Sequence, residues 1–408
     1  MVEHALTSLA LGYRPLWNAS RKLAGVQLFM HETGSAMPDV PHFLRMLQEM
    51  WAPGAPTLIL SPRSRQLLLQ LLEYGSKMPF LLLIEVRGEW LADSGLYEMV
   101  QRAHARGVRL VWRGTLGDLP DAESARWFAT SMLRLEMGDA IQMMQLPAGS
   151  PVPEHLQLLD GQLYEDLHSR AIMHRCLEQH HAAAIVGWPD EDVQHKLRGE
   201  KALSPSHAHV LRLMKAVDAD QSMETFELIM SEDPMLTYRF LLFTNSASIA
   251  LRSSVESLKR GFMMLGYGNL KQWLASQLAM ASADEDLQPI RLATVMRAQL
   301  TERLLDPGVS QELRSEVYLC GLLSRLDEVL DEELAQALQR LPLSERIHDA
   351  AVLGTGPYAP SLLLAKALEH DDGAVVRELC ERFEIDLEHV NRTLLRSIVD
   401  WPSEMLKI

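Results

Sequence analysis

Two adjacent His-Asp pairs, His348–Asp349 and His370–Asp371, combine residue types that can hold a metal ion and let it activate water against a phosphate ester. A second candidate is EDLHSRAIMHRCLEQHHAAA, with His168, His174, His180 and His181. Zinc-binding histidines on one helix normally sit four apart, which puts them on one face. Here the spacing is six, and only His174 and His181 return to the same side, so the stretch reads as an exposed polar face. His370–Asp371 closes the helix LLLAKALEH before the turn DDG, where a His suits the negative helix end and Asp beside Gly suits a turn. His348–Asp349 falls in the short polar-faced helix LSERIHDAAV, and both pairs read as structural. Cys176, Cys320 and Cys380 are far apart and form no Cys-x-x-Cys spacing, which argues against a disulfide framework or a thiolate metal site.

Any such site must be positioned by two different kinds of element. Before residue 200, apolar runs at Thr57–Leu60, Phe80–Val86, Val108–Trp112, Leu133–Met137 and Ala183–Trp188 alternate with helical stretches. Continuous apolar runs suit strands buried on both faces, and intervening helices suit parallel βα units. After residue 200 the apolar spacing is three and four throughout, as in HVLRLMKAV and ELAQALQRL, which predicts amphipathic helices. Breaks at Pro205, Pro234, Gly266, Pro289, Pro307, Pro342 and Pro357 cut them short. The polar piece PDEDVQHKLRGEKALSPS sets the boundary, giving an α/β domain at 1–190, a linker at 191–203 and an all-α domain at 204–408.

The chain has 408 residues, 47% hydrophobic and 23% charged, which suits a globular protein of two domains. Its formal charge of −15 disfavours nucleic acid, whose binding depends on Lys and Arg neutralising phosphates. No apolar run reaches the length of a membrane span, and MVEHALTSLALGYRPLW lacks the layout of a secretory leader. A cytoplasmic location with no membrane partner is expected.

The run SEDPMLTYRFLLFTNSASIALRSSVESLKRGFMMLGYGNLKQW at Ser231–Trp273, followed by GLLSRLD at Gly321–Asp327, resembles an HDOD domain, the helical output module related to HD phosphohydrolases. The scaffold residues of that resemblance are Asp233, Pro234, Asn245, Ser246 and Gly266. Asp233 is placed to cap the helix beginning at Pro234, and Asn245 with Ser246 to satisfy backbone groups at its end. The stripe Leu236, Phe240, Leu241 and Phe243 reads as core. In the HD relative, a His on one helix and an adjacent His-Asp pair on another bind metal. Those places read Arg297, Ser324 and Arg325 here.

The first half, through its order of elements and GYRPLWNASRKLAGVQLFMH at Gly12–His31, resembles an EAL domain, a TIM-like barrel that hydrolyses cyclic di-GMP with two metal ions held by carboxylates. The resemblance implies Gln27 in place of the metal-binding Glu, Ile59 in place of an Asn, and Glu85 retained with Gly88 at the next acidic position. It also implies Arg113 and Gly114 in place of consecutive Asp residues, Arg134 near a catalytic Lys with Glu136 following, Asp160 for a Glu, and Val186 for a nucleotide-contacting Gln. A pocket that loses carboxylates and gains a guanidinium repels divalent cations.

Together the two resemblances imply an EAL-HDOD signalling protein that is not an enzyme, has no catalytic or metal-binding residues, needs no cofactor, and docks other signalling proteins. One alternative is a metal-independent cyclic di-GMP sensor using Arg14, Arg113 and Arg134. Against it, these are read as rim arginines satisfied by Glu85, Glu136 or Asp160. A further alternative is a phosphohydrolase with a non-standard metal site. Met263 and Met264, if exposed, favour the docking role.

Overall fold

The computed structural model describes residues 4–34, 37–51, 54–78, 80–146, 152–190, 192–193, 204–246, 255–330 and 332–405. The expected linker at 191–203 lies outside the described residues except for 192 and 193, as do residues 247–254 of the Ser231–Trp273 motif. The chain forms two compact units, one of residues 1–193 with 367–404 and one of residues 194–366 with 405–408. The expected all-α domain ran to residue 408, whereas packing assigns 367–404 to the first unit.

The first unit is a closed barrel of eight strands: β1 Leu9–Trp17, β2 Leu23–Glu32, β3 Thr57–Pro62, β4 Leu82–Arg87, β5 Leu110–Thr115, β6 Phe128–Arg134, β7 Leu163–Glu165 and β8 Ala184–Val186. Neighbours from β2 to β8 are parallel, but β1 is antiparallel to both β2 and β8. This departs from the uniformly parallel βα order read from the sequence, because β1 and β2 are joined by the short turn Asn18–Lys22 and leave no room for a crossover helix. The strand expected at Leu133–Met137 lies earlier, at β6. Helices α1 Val40–Met50, α2 Arg65–Tyr74, α3 Ser94–Ala105 and α4 Met137–Gln145 fall in the later connections. In α2 the buried residues Leu67, Leu68, Leu71 and Leu72 recur at helical spacing, and Ser64 caps the first turn through the Leu67 amide.

Inside the barrel, Leu16, Ile59, Leu83, Val111, Met132, Leu163, Ala184 and Val186 form a dry layer with side chains from seven of the eight strands. Side chains alternate with a period of two along a strand. The next inward layer toward the ends of the parallel strands is therefore Arg14, Gln27, Ser61, Glu85, Arg113, Arg134 and Glu165, a polar mouth above an apolar floor.

The β1–β2 pair, which has no crossover helix of its own, is covered by the end of the chain. Helices α13 Gly373–Phe383 and α14 Leu387–Met405 supply that cover. Val390, Leu394, Leu395, Ile398 and Trp401 are fully buried, and Trp401 packs on Tyr13 with ring centroids 5.0 Å apart. Buried Asn391 ties α14 to the start of the barrel: its Oδ1 accepts from the Leu11 amide at 3.2 Å, and its Nδ2 donates to the carbonyls of Leu6 and Leu9 at 2.8 and 2.7 Å.

The second unit is helical in its described residues, the longer helices being α5 His207–Asp218, α6 Met223–Ser231, α7 Pro234–Thr244, α8 Leu258–Leu278, α9 Gln288–Arg303, α10 Gln311–Leu323 and α12 Ala359–Leu368, the last of which crosses into the first unit at 366/367. Between α10 and α12 lies the short helix α11 Glu345–His348. Among the described residues, no helix is long and apolar enough to cross a membrane.

Candidate functional site

At the barrel mouth the strand-end side chains consume one another's charge. Buried Glu85 accepts from Gln27 Nε2 through Oε2 at 2.9 Å and from Ser61 Oγ through the same oxygen. Its Oε1 accepts from Arg63 Nη1 at 3.2 Å and Arg113 Nη1 at 3.1 Å. Arg113 also grips Glu165 as a fork, Nε to Oε1 at 2.8 Å and Nη2 to Oε2 at 3.0 Å. A bidentate, charge-assisted pair of this kind is among the stronger polar contacts available to a protein.

The two members of that pair respond differently. Burial works against the charged form of Arg113, but Glu85 and Glu165 together outweigh it and raise the guanidinium above its ordinary range. For Glu165, burial pushes the carboxyl up and Arg113 only partly draws it back. Arg113 divides its charge between two carboxylates, whereas Glu165 is almost sealed from water. Arg87 is lowered, first by burial and then by nearby Arg63, with Glu85 opposing.

The remaining sequence candidates are distributed around this cluster. Arg14 pairs with Asp166 at 3.0 Å, and Arg14 and Arg63 both lie over the Phe29 ring, at 5.5 and 4.6 Å from its centroid. Arg134 is exposed, as is Glu136, and neither joins the network. The rim partners expected for the arginines are corrected: Glu85 serves, but Glu165 and Asp166 do the rest. Asp160 instead meets His180 at 3.0 Å. Glu165, not Asp160, ends the seventh strand, because β7 is only three residues long and carries no periodic signal. Ile59 belongs to the apolar floor, and Ser61 two residues on reaches the mouth.

Gly88 and Gly114, where the resemblance implied lost acids, are held by packing. A Cβ on Gly88 would run into the Trp112 ring, and one on Gly114 would come within 2.7 Å of both the Asp118 carbonyl and Trp112 Nε1. Trp112 Nε1 donates to that same carbonyl at 3.1 Å. A divalent ion needs several uncommitted anionic oxygens. Here Glu85 and Glu165 both face the Arg113 guanidinium, Asp166 is taken by Arg14 and Asp371 by Arg63, and the other neighbours are an amide, a hydroxyl and glycines, so these residues do not fit a metal pair.

In the helical unit, Asp233 is buried and caps α7 through the amides of Met235 and Leu236, both at 3.0 Å, while also accepting from the Ser206 amide at 2.6 Å. Asn245 bridges the end of α7 to the following segment: Nδ2 donates to the Leu241 and Val255 carbonyls at 2.7 and 2.9 Å, and Oδ1 accepts from the Val255 amide at 2.8 Å. Ser246 Oγ donates to the Phe243 carbonyl at 2.7 Å. Gly266, with φ 72° and ψ 164°, breaks α8 in a conformation costly for any other residue. Leu236, Phe240 and Leu241 are fully buried, and Phe243 stacks on Trp273 at 5.7 Å.

Of the three places that the resemblance matches to a metal-binding His and His-Asp pair, Arg297 and Ser324 meet and Arg325 turns to another partner. Arg297 on α9 points Nη1 at Ser324 Oγ, 3.4 Å away at the end of α10, and Arg325 pairs with Glu328 at 2.7 Å. Ser324 opens onto a cleft of about 780 Å³ with Asp327, Glu328, Glu332, Glu333 and Lys366 around it. On the same unit Met263 and Met264 are 57% and 36% exposed and Tyr267 is 41% exposed, on either side of the Gly266 break.

Residues 203–344 match the family model of the HDOD domain. Over 201 residues the chain is 26% identical to the cyclic di-GMP phosphodiesterase CdgJ of Vibrio cholerae serotype O1, covering 48% of this chain and 46% of that protein. Over 173 residues it is 27% identical to the uncharacterized protein YuxH of Bacillus subtilis, covering 41% of each. The chain thus spans less than half the length of these curated relatives. Among solved structures, the MmoQ response regulator from Methylococcus capsulatus aligns with TM-score 0.39 and 17% identity over 47% of this chain and 98% of that one. A virulence factor from Campylobacter jejuni aligns with TM-score 0.26 and 18% identity over 47% of this chain and 73% of that one. At such scores neither likeness bears on the argument.

Proposed function

We propose that this chain is a non-enzymatic regulatory protein of second-messenger signalling, in which a degenerate EAL-type barrel no longer hydrolyses cyclic di-GMP and the HDOD domain docks other signalling proteins. The observation that carries the first part is the Arg113 fork between Glu85 and Glu165, which places a fixed cation among the carboxylates a metal would need. The similarity to CdgJ supports the link to cyclic di-GMP signalling. Exposed Met263, Met264 and Tyr267 support the docking role, since adjacent apolar side chains left in water mark interaction surfaces. Purified protein with magnesium or manganese is expected to leave cyclic di-GMP intact. A partner captured from the native host is expected to be lost when Met263 and Met264 are both changed to Glu. Turnover of the nucleotide, or capture unaffected by the double change, would each remove one half of the reading.

The arginine-rich mouth gives a second reading, a metal-independent sensor of cyclic di-GMP. Arg14, Arg63 and Arg113 are already paired with carboxylates, which weighs against it. Calorimetric titration of the unaltered protein decides: no heat at high micromolar nucleotide ends this reading.

A further inference from the structure

Asp371 arrives at the barrel mouth from the far end of the chain. Arg63 donates Nε to its Oδ1 at 2.6 Å and holds Nη2 2.6 Å from Oδ2, and His31 Nε2 lies 2.9 Å from Oδ1. Arg63 is itself seated by Phe29 and Glu85. The surroundings are shaped to receive the incoming backbone. A Cβ on Gly12 of β1 would strike the His370 carbonyl, and one on Gly373 would lie 2.6 Å from His31. Beyond it, Arg377 Nη1 donates to the Thr33 carbonyl at 2.7 Å.

An Arg fork set beside a His receives carboxylates and phosphates by the same geometry. Here the occupant is a carboxylate on a tether, and it is the least enclosed acid of those holding Arg63. Its side chain is 33% exposed, against 1% for Glu85. Arg14, Arg63, Arg87 and Arg113 surround the mouth, and with Asp371 withdrawn Arg63 would keep only Glu85, an acid that it shares with Arg113 and Arg87, while Arg87 has exposed Glu89 at 3.9 Å and Arg14 has Asp166. Among the described residues, buried Arg87 Nε has no hydrogen-bond partner, Glu85 lying 3.8 Å away.

We propose that Asp371 is a built-in counter-ion seated in an anion site at the barrel mouth, and that a free phosphate-bearing dianion competes with it for Arg63 and His31, releasing the strap Leu368–Gly373. Tethering gives Asp371 a high effective concentration, so the unaltered chain binds the competitor weakly. The inference concerns the barrel unit and stands apart from the docking role of the HDOD domain.

The test uses the full chain and inorganic pyrophosphate. Asp371→Asn, which keeps the side chain's shape and removes its charge, is expected to bind pyrophosphate about tenfold or more tighter than the unaltered protein by calorimetry. Adding Arg63→Gln should abolish that gain. Equal affinity with and without Asp371→Asn, or a gain that survives Arg63→Gln, overturns the proposal. A second measurement needs no variant: millimolar pyrophosphate should speed amide hydrogen exchange at residues 368–377 in the unaltered chain, and unchanged exchange there overturns it equally.

Discussion

Gln27 shows why a single restored carboxylate does not rebuild a catalytic site. Its Nε2 donates to Glu85 at 2.9 Å in a place with no access to water, so Gln27→Glu sets two acids against each other and one must take up a proton. The variant is expected to lose about 2 kcal/mol or more at pH 8, to recover part of it near pH 5, and to show no hydrolysis of cyclic di-GMP. Urea unfolding at the two pH values checks the sign. His209 in the helical unit makes the opposite kind of test. It is buried, neither ring nitrogen is hydrogen-bonded among the described residues, Glu232 lies 3.7 Å from Nε2, and Asp233, Arg212 and Arg291 act on it from nearby. Burial lowers its pKa to about 4, with Arg291 and Arg212 assisting and Asp233 opposing. The folded state therefore prefers neutral His209, and stability present above the unfolded value of about 6.5 is lost as pH falls toward 4, by up to ~3 kcal/mol. His209→Leu should flatten that part of the pH dependence of the unfolding midpoint; an unchanged slope would assign it to other groups.

At the level of elements, α14 matters because, together with α13, it covers β1, which has no crossover helix of its own. Asn391 supplies three buried hydrogen bonds to the segment Leu6–Leu11, and Asn391→Ala leaves those backbone groups unmet. A loss of about 2–4 kcal/mol is expected in the barrel unit's unfolding transition, read by denaturant titration. A smaller loss would mean that water enters to replace the amide. How much of this was legible in the sequence follows from signal strength. The resemblance to the EAL domain assigns Gln27, Glu85 and Arg113 to one pocket, and Glu85 bonds both of the others. Glu165 carries no such signal because its strand is three residues long, and on β3 the resemblance points to Ile59, which faces inward but in the apolar floor, one layer below Ser61. Nothing in LEHVNRTLLRSIVDW says what its apolar stripe will pack against, since an amphipathic helix looks the same whether its partner is a strand or another helix.

Across the whole molecule, the chain leaves the barrel at residue 193, builds the helical unit, and comes back at 367 to finish the barrel. The barrel unit is therefore not the N-terminal half of the sequence. A chain ended after Lys366 lacks Asn391, Trp401 and the rest of the buried face that covers β1 and β2. It is expected to lose the near-ultraviolet circular dichroism of the barrel tryptophans and to bind a hydrophobic dye, although all eight strands are present. A truncated chain that kept its native spectrum would show that the barrel closes without its last two helices.

That path also sets a timetable for the nascent chain. When β8 has left the ribosome, the outer face of β1 and β2 still has no cover, and residues 194–366 must all be made before it can have one. At ~5–20 residues per second the interval is roughly 10–35 s. Through that interval β1 and its neighbour present an apolar surface to the cell, so chaperone demand should fall on the barrel unit and should ease only when α13 and α14 emerge.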